Sequence, residues 1–177
     1  MPDDLLAFVV HERENLFAFE YAEKGYFSRQ YYPDYEIPTI EHTPWQHRPI
    51  PIPLAILDKV RNTIVEHERA GRFEPTTSSY RSSMFVVAKK NGIHLMINLE
   101  ELNVVTIQDS LLPPNVNDFA ESFLRYSLYG LLDLFSGFDV QWVSVKSLPL
   151  QVFHTPIGPK QQMTIVQGYT NSVQEFQ

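Results

Sequence analysis

Six of the chain's 13 prolines fall between Pro33 and Pro53, at positions 33, 38, 44, 49, 51 and 53. Proline fixes its own φ at about −65°, donates no backbone hydrogen bond and pushes the preceding residue toward extended geometry. Such a stretch carries no long helix and no central strand. It reads as an extended arm or linker, with room for a short strand around Tyr35–Ile40. The arm is either a tether or a segment packed on a neighbouring surface. Trp45, Ile50 and Ile52 need somewhere to bury, which favours packing. The chain therefore divides into a helical segment with its Pro-rich connecting arm over 1–53 and a domain over 54–177. Ahead of the arm, Leu5–Ala22 is apolar with an imperfect helical period.

Beyond the arm the elements are mixed. Leu54, Leu57, Val60 and Ile64 stand at helical spacing, widened by Ile56 and Val65, with Pro53 suited to the first turn and Gly71 to the position past the end. The spacing predicts a helix over 54–70, with Lys59, Arg61, Glu66 and Glu68 on its solvated face. Met84–Lys89 and His94–Ile97 are β-rich runs separated by Asn91-Gly92, a strong hairpin signal. Asn115–Leu124 reads as a helix with Asn115 as its cap and one face of Val116, Phe119, Ala120, Phe123 and Leu124. Leu131–Phe135 suits a buried strand, and Gln151–Thr155 and Met163–Val166 suit two more, joined by a turn at Pro156–Pro159. Strands and helices do not alternate as regular βαβ units, so the predicted fold class is α+β.

Composition excludes several chemistries. The chain has no cysteine, so disulfide scaffolds, thiolate zinc sites and thiol nucleophiles are out. Apolar runs such as Ala7–Val10 fall far short of the roughly 20 residues of a membrane helix. The Met-Pro-Asp-Asp start is acidic where a secretory signal is basic. These features predict an intracellular, cytoplasmic protein with no membrane partner. Against 21 Asp and Glu stand 14 Lys and Arg, a net charge of −7, and Lys89-Lys90 is the one basic cluster. No broad electrostatic footprint for nucleic acid is present.

Asp133 is the most informative single residue. A carboxylate between Leu131-Leu132 and Leu134-Phe135 is costly to bury unless it is paired or binds a metal. The alternative is an ordinary aspartate at a strand end, capping the turn that begins at Ser136-Gly137, and spacing alone does not choose. The six histidines show no metal-ligand spacing, the serines lack a nucleophile-elbow context, and Gly130 to Gly137 is not a phosphate loop.

A longer pattern covers residues 70–177. Ala70-Gly71-Arg72-Phe73-Glu74-Pro75, Ser79-Tyr80-Arg81-Ser82, Val87-Ala88-Lys89-Lys90-Asn91-Gly92 and Leu102-Asn103-Val104-Val105-Thr106-Ile107 resemble the fingers of reverse transcriptases, specifically those of gypsy-type long-terminal-repeat retrotransposons. Leu132-Asp133-Leu134-Phe135-Ser136-Gly137-Phe138-Asp139 resembles the first catalytic motif of that family. Phe153-His154-Thr155-Pro156-Ile157-Gly158 and Gln167-Gly168-Tyr169-Thr170-Asn171-Ser172 follow in the family's order. The upstream run Tyr21–Trp45 is similar to the segment preceding the polymerase in fungal Pol polyproteins of this kind.

The resemblance implies fingers plus a partial palm, a truncated right-hand polymerase fold, and RNA-directed DNA polymerisation by two-metal nucleotidyl transfer. It implies Mg²⁺ as cofactor, an RNA/DNA primer–template and a dNTP as partners, and a complement of palm, thumb and ribonuclease H regions. Carried over by position, Asp133 is the catalytic metal ligand and Leu134 lends its carbonyl to the metal. Ser136 and Gly137 offer backbone amides to the triphosphate, and Phe138 presses on the sugar. Gln167 contacts the nucleotide, Gly168 permits close approach, and Lys89 and Lys90 face the phosphates.

Departures from the pattern carry expectations of their own. Gln177 precedes the Tyr-x-Asp-Asp motif, and only Asp139 and Glu175 follow Asp133 as carboxylates. The family's triphosphate-gripping hairpin arginine falls at or near His94, and Asn98, Glu100, Leu148 and Val166 replace other family residues. One carboxylate cannot balance two dications, so magnesium binding is expected to be weak and the chain inactive alone. The alternative is a non-catalytic interaction module or a decayed relic that keeps part of the fold.

Overall fold

A computed structural model describes residues 2–18, 23–89, 92–110, 115–124, 126, 127, 129–131, 134 and 136–176. The first helix, α1, runs Pro2–Glu12, shorter than the apolar pattern suggests, and gives way to a 3₁₀ turn at Glu14–Leu16.

The Pro-rich arm is packed. Single bridges join Tyr35 to Val143, Thr39 to Thr106 and Gln46 to Arg81. No continuous strand forms over Tyr35–Ile40. Pro38 has no N–H to give, and contributes only its carbonyl, which accepts from Ile107 N at 2.9 Å. Ile37 is buried, and Trp45 packs on the same cluster while its Nε1 donates to Ser82 Oγ at 3.0 Å. Ile52 is half-buried, whereas Ile50 stays exposed.

Helix α2 spans Leu54–Arg69 and buries Val60 and Ile64 completely. It ends on Gly71, whose φ of 72° lets Gly71 N reach Glu68 O and Arg72 N reach His67 O, at 3.0 and 2.9 Å. Strand β1 (Phe73–Pro75) follows at once. β2 (Met84–Lys89) and β3 (Gly92–Ile97) form the hairpin, in register from Met84 opposite Ile97 to Lys89 opposite Gly92. Gly92 thus belongs to the second strand rather than to the turn.

Helix α3 (Glu100–Val105) had no sequence signal strong enough to predict it; its one fully buried side chain is Leu102. Helix α4 (Val116–Phe123) is capped as expected, with Asn115 Oδ1 accepting from Asn117 N at 3.0 Å. Its apolar face, Val116, Phe119, Phe123 and Leu124, is exposed.

β4 is only Val152–Phe153, because Pro149 and its neighbours wind a 3₁₀ turn over Leu148–Gln151. The last strand, β5, is Lys160–Gln162, earlier than the apolar run Met163–Val166. Its inward residues are polar, which is why hydropathy misplaced it. The sheet order is β1-β5-β4, antiparallel throughout. Helix α5 (Ser172–Phe176) closes the described chain. Leu131 and Leu134 are exposed and in no strand, so the expected strand at 131–135 is not seen in them; Leu132, Asp133 and Phe135 lie outside the described residues.

Two clusters form the core. Val60, Ile64, Phe73, Met84 and Phe153 join α2 to the sheet and hairpin. Ile37, Leu99, Leu102, Val143, Leu148, Leu150, Ile165, Val166 and Tyr169 form the other beneath the arm. Among the described residues, no helix is long and apolar enough to cross a membrane.

Candidate nucleotide site

A cavity of about 390 Å³ opens between the two clusters. Helix α2 supplies Lys59, Thr63, Glu66 and His67, the turn after it Arg72, the start of β1 Phe73, and β3 Gly92–Ile97. Ser136, Gln162, Val166 and Gln167 complete it. Ser136 and Gln167, singled out from two separate motifs, therefore line one space with His94. Ser136 sits at φ 50° and ψ 52°, a left-handed conformation unusual for a side-chain-bearing residue, and its carbonyl accepts from Asp139 N at 2.9 Å. Gly137 and Phe138 lie in the 3₁₀ turn that follows, both half-buried. Gly168 has φ 97°, and its carbonyl accepts from Asn103 Nδ2 at 3.0 Å. Asn103 Oδ1 also receives Thr170 N at 2.9 Å, so α3 sets the loop that carries Gln167.

Lys89 is exposed at the end of β2 and is not among the cavity's lining residues. Leu134 is exposed. Asp133 and Lys90 lie outside the described residues.

Behind the cavity is an ionic network that residue spacing does not reveal. Asp139 is buried, its Oδ2 3.1 Å from Arg72 Nη2 and its Oδ1 accepting from Gln162 Nε2 at 3.2 Å. Lys24 Nζ donates to the Asp139 carbonyl. Burial pushes Lys24 down to about 8, with Asp139 opposing the shift and Arg72 adding to it. The adjoining Tyr26 stacks on Trp142 at 4.3 Å and donates its hydroxyl to Ala70 O at 2.8 Å, bracing the end of α2. Lys160 is paired with Glu68 at 2.9 Å, which explains a lysine on the inward side of β5.

Both histidines at the cavity are weak bases. Burial, helped by Arg72, His94 and Lys24, takes His67 down to about 4. Burial and the nearby Lys89 and Arg72 lower His94. Each is neutral near pH 7, so the permanent cations lining the cavity are Lys59 and Arg72.

Among the described residues, no group of three or more His, Asp or Glu is placed to hold a metal ion. Asp139 is committed to Arg72. The described residues by themselves do not build a magnesium site.

The chain has the α+β fold of a reverse transcriptase's fingers and part of its palm. It superposes on the crystal structure of prototype foamy virus protease–reverse transcriptase with a TM-score of 0.83 at 18% identity, covering 96% of this chain and 22% of that one. Against the foamy viral protease–reverse transcriptase in complex with RNA/DNA hybrid the TM-score is 0.79 at 16% identity, over 98% of this chain and 23% of that one. In sequence it is similar to retrovirus-related Pol polyproteins of Drosophila melanogaster. That of transposon opus is 28% identical over 148 residues, and that of transposon 297 is 24% identical over 145 residues. These stretches take in 80% and 78% of this chain, and 15% and 14% of those relatives' own length. No protein-family model matches the chain.

Proposed function

We propose that this chain forms the fingers and part of the palm of a gypsy-type retroelement reverse transcriptase, where it takes up the incoming nucleotide for RNA-directed DNA polymerisation. The observation that carries the reading is the convergence of Ser136, Gln167 and strand β3 of the hairpin on one cavity. The Pol polyprotein relatives and the foamy viral complexes with RNA/DNA hybrid and dsDNA support a primer–template as partner. In this reading Gln167 orients the nucleotide, Ser136 and Gly137 lie beside its phosphates, and Phe138 borders the sugar. Magnesium supplies charge neutralisation of the phosphates when bound. Asp133 and the Leu134 carbonyl would be its first ligands.

Photo-crosslinking with an azido-dATP tests the proposal. Labelled peptides should come from β3 and residues 136–138 or 167, be competed by dNTP, and weaken in Gln167→Ala. Labelling scattered over the surface would refute the site. A specific observation favours a non-catalytic version of the same module: Asp139, the carboxylate that follows Asp133 in the chain, is taken up by Arg72 and Gln162. In that version the cavity binds nucleotide, while a primer-extension assay with the 177-residue chain and Mg²⁺ gives no product. Template-dependent extension that Asp133→Ala abolishes would decide for catalysis.

A further inference from the structure

The cavity must hold a polyphosphate if it takes a nucleotide, and the hairpin offers little for that purpose. The resemblance puts the arginine that grips the triphosphate at or near His94, and burial with the nearby Lys89 and Arg72 disfavours a charge on that imidazole. Arg72, just past the end of α2, lines the same cavity.

We propose that Arg72, held by Asp139, is the residue that grips the polyphosphate of a nucleotide in this cavity. This assignment rests on the nucleotide reading given above. Arg72 lines the cavity and Asp139 does not, so the cavity meets the cationic partner of their ion pair. The arginine is held at its backbone and at its guanidinium. Its N–H donates to His67 O at 2.9 Å, its carbonyl accepts from Met163 N at 2.9 Å, and its guanidinium lies 5.4 Å from the Phe73 ring centre. The guanidinium end is set by Asp139, itself held by Gln162. A planar fork already in place loses little freedom on binding and matches phosphate oxygens well. Lys59, the other permanent cation of the cavity, is exposed on α2 and has no such restraint. Glu66 is the one carboxylate among the lining residues. Asp139 is thus a positioning residue: it fixes the arginine without itself meeting the ligand.

The test measures inorganic tripolyphosphate and dGTP binding to the 177-residue chain by calorimetry at low salt. The paired variant Arg72→Gln/Asp139→Asn removes one charge of each sign, so net charge is unchanged and the Arg72 guanidinium is not left facing a missing carboxylate. Its affinity for both probes should fall by about tenfold or more, the loss expected of one charge-assisted hydrogen bond. Lys59→Gln should cost less than the paired variant. In the unmodified chain the Arg72 Nε–Hε resonance should shift saturably with tripolyphosphate, which reads the contact without any substitution. His94→Arg serves as the reference for the hairpin side. Binding that the paired variant leaves unchanged overturns the role of Arg72 and leaves the cavity reading standing. The same conclusion follows if only His94→Arg binds. If neither the unmodified chain nor His94→Arg binds either probe, the nucleotide reading falls together with this assignment.

Discussion

Asp139→Asn should be the most damaging single-atom change in the protein. The carboxylate is 5% exposed and meets a different donor on each oxygen: Gln162 Nε2 at 3.2 Å and Arg72 Nη2 at 3.1 Å. An amide has the same shape but only one oxygen, so its NH₂ must face one of those donors. Arg72 and Lys24 also lose the negative charge between them. Breaking one side of a buried ion pair costs about 3–5 kcal/mol, against about 5–15 kcal/mol for a whole domain. With a urea m-value of about 2 kcal/mol/M, the unfolding midpoint should drop by roughly 2 M with the slope unchanged. Urea titrations followed by circular dichroism measure this directly. The paired variant Arg72→Gln/Asp139→Asn should recover part of the loss, because Arg72 no longer faces a missing carboxylate while Lys24 still does. An unmoved Asp139→Asn midpoint, or a pair less stable than the single variant, would show that this network does not hold the fold.

Two further outcomes follow from buried geometry. His67 has a folded-state pKa of about 4 against an ordinary value of 6.5, so the unfolded chain binds more protons between those values. Stability should rise with pH through that window and be lost on acidification, by up to about 3 kcal/mol for this group. His67→Gln should flatten the acid limb in urea midpoints taken at neutral and acid pH, and an identical limb would count against the buried-neutral histidine. Gly71 has φ 72° and open space where a Cβ would stand, so Gly71→Ala meets no clash and its cost is purely conformational. A loss of about 1–2 kcal/mol is expected in thermal unfolding, with Gly71→Asn milder because asparagine tolerates that region.

What could be read from the sequence follows from how local each cause is. Helix α2 was legible because Pro53 and Gly71 punctuate it and Val60 and Ile64 repeat at helical spacing. The hairpin was legible from its β-rich runs, although pairing of Lys89 with Gly92 moves the turn one residue earlier. β5 was not legible. Lys160 and Gln162 are buried only because Glu68 and Asp139 wait for them on other elements. Ser136 and Gln167 could be picked out because their motifs are contiguous. Arg72 and Asp139 belong to distant segments, and an ion pair between them leaves no spacing to detect. The hints were the arginine placed just after the α2 stop and an acidic residue following the Ser136-Gly137 turn.

The Pro-rich arm also sets a schedule for folding. Lys24 reaches Asp139, Ile37 N donates to Ser147 Oγ, and Tyr35 meets Tyr169, separations of 115, 110 and 134 residues along the chain. Contacts that far apart close slowly, because the intervening loop must be ordered first. During synthesis the arm leaves the ribosome long before its docking surface exists. Until residues 139–169 have been made, Ile37 lacks its core, and the growing polypeptide depends on chaperones or speed to avoid sticking to its neighbours.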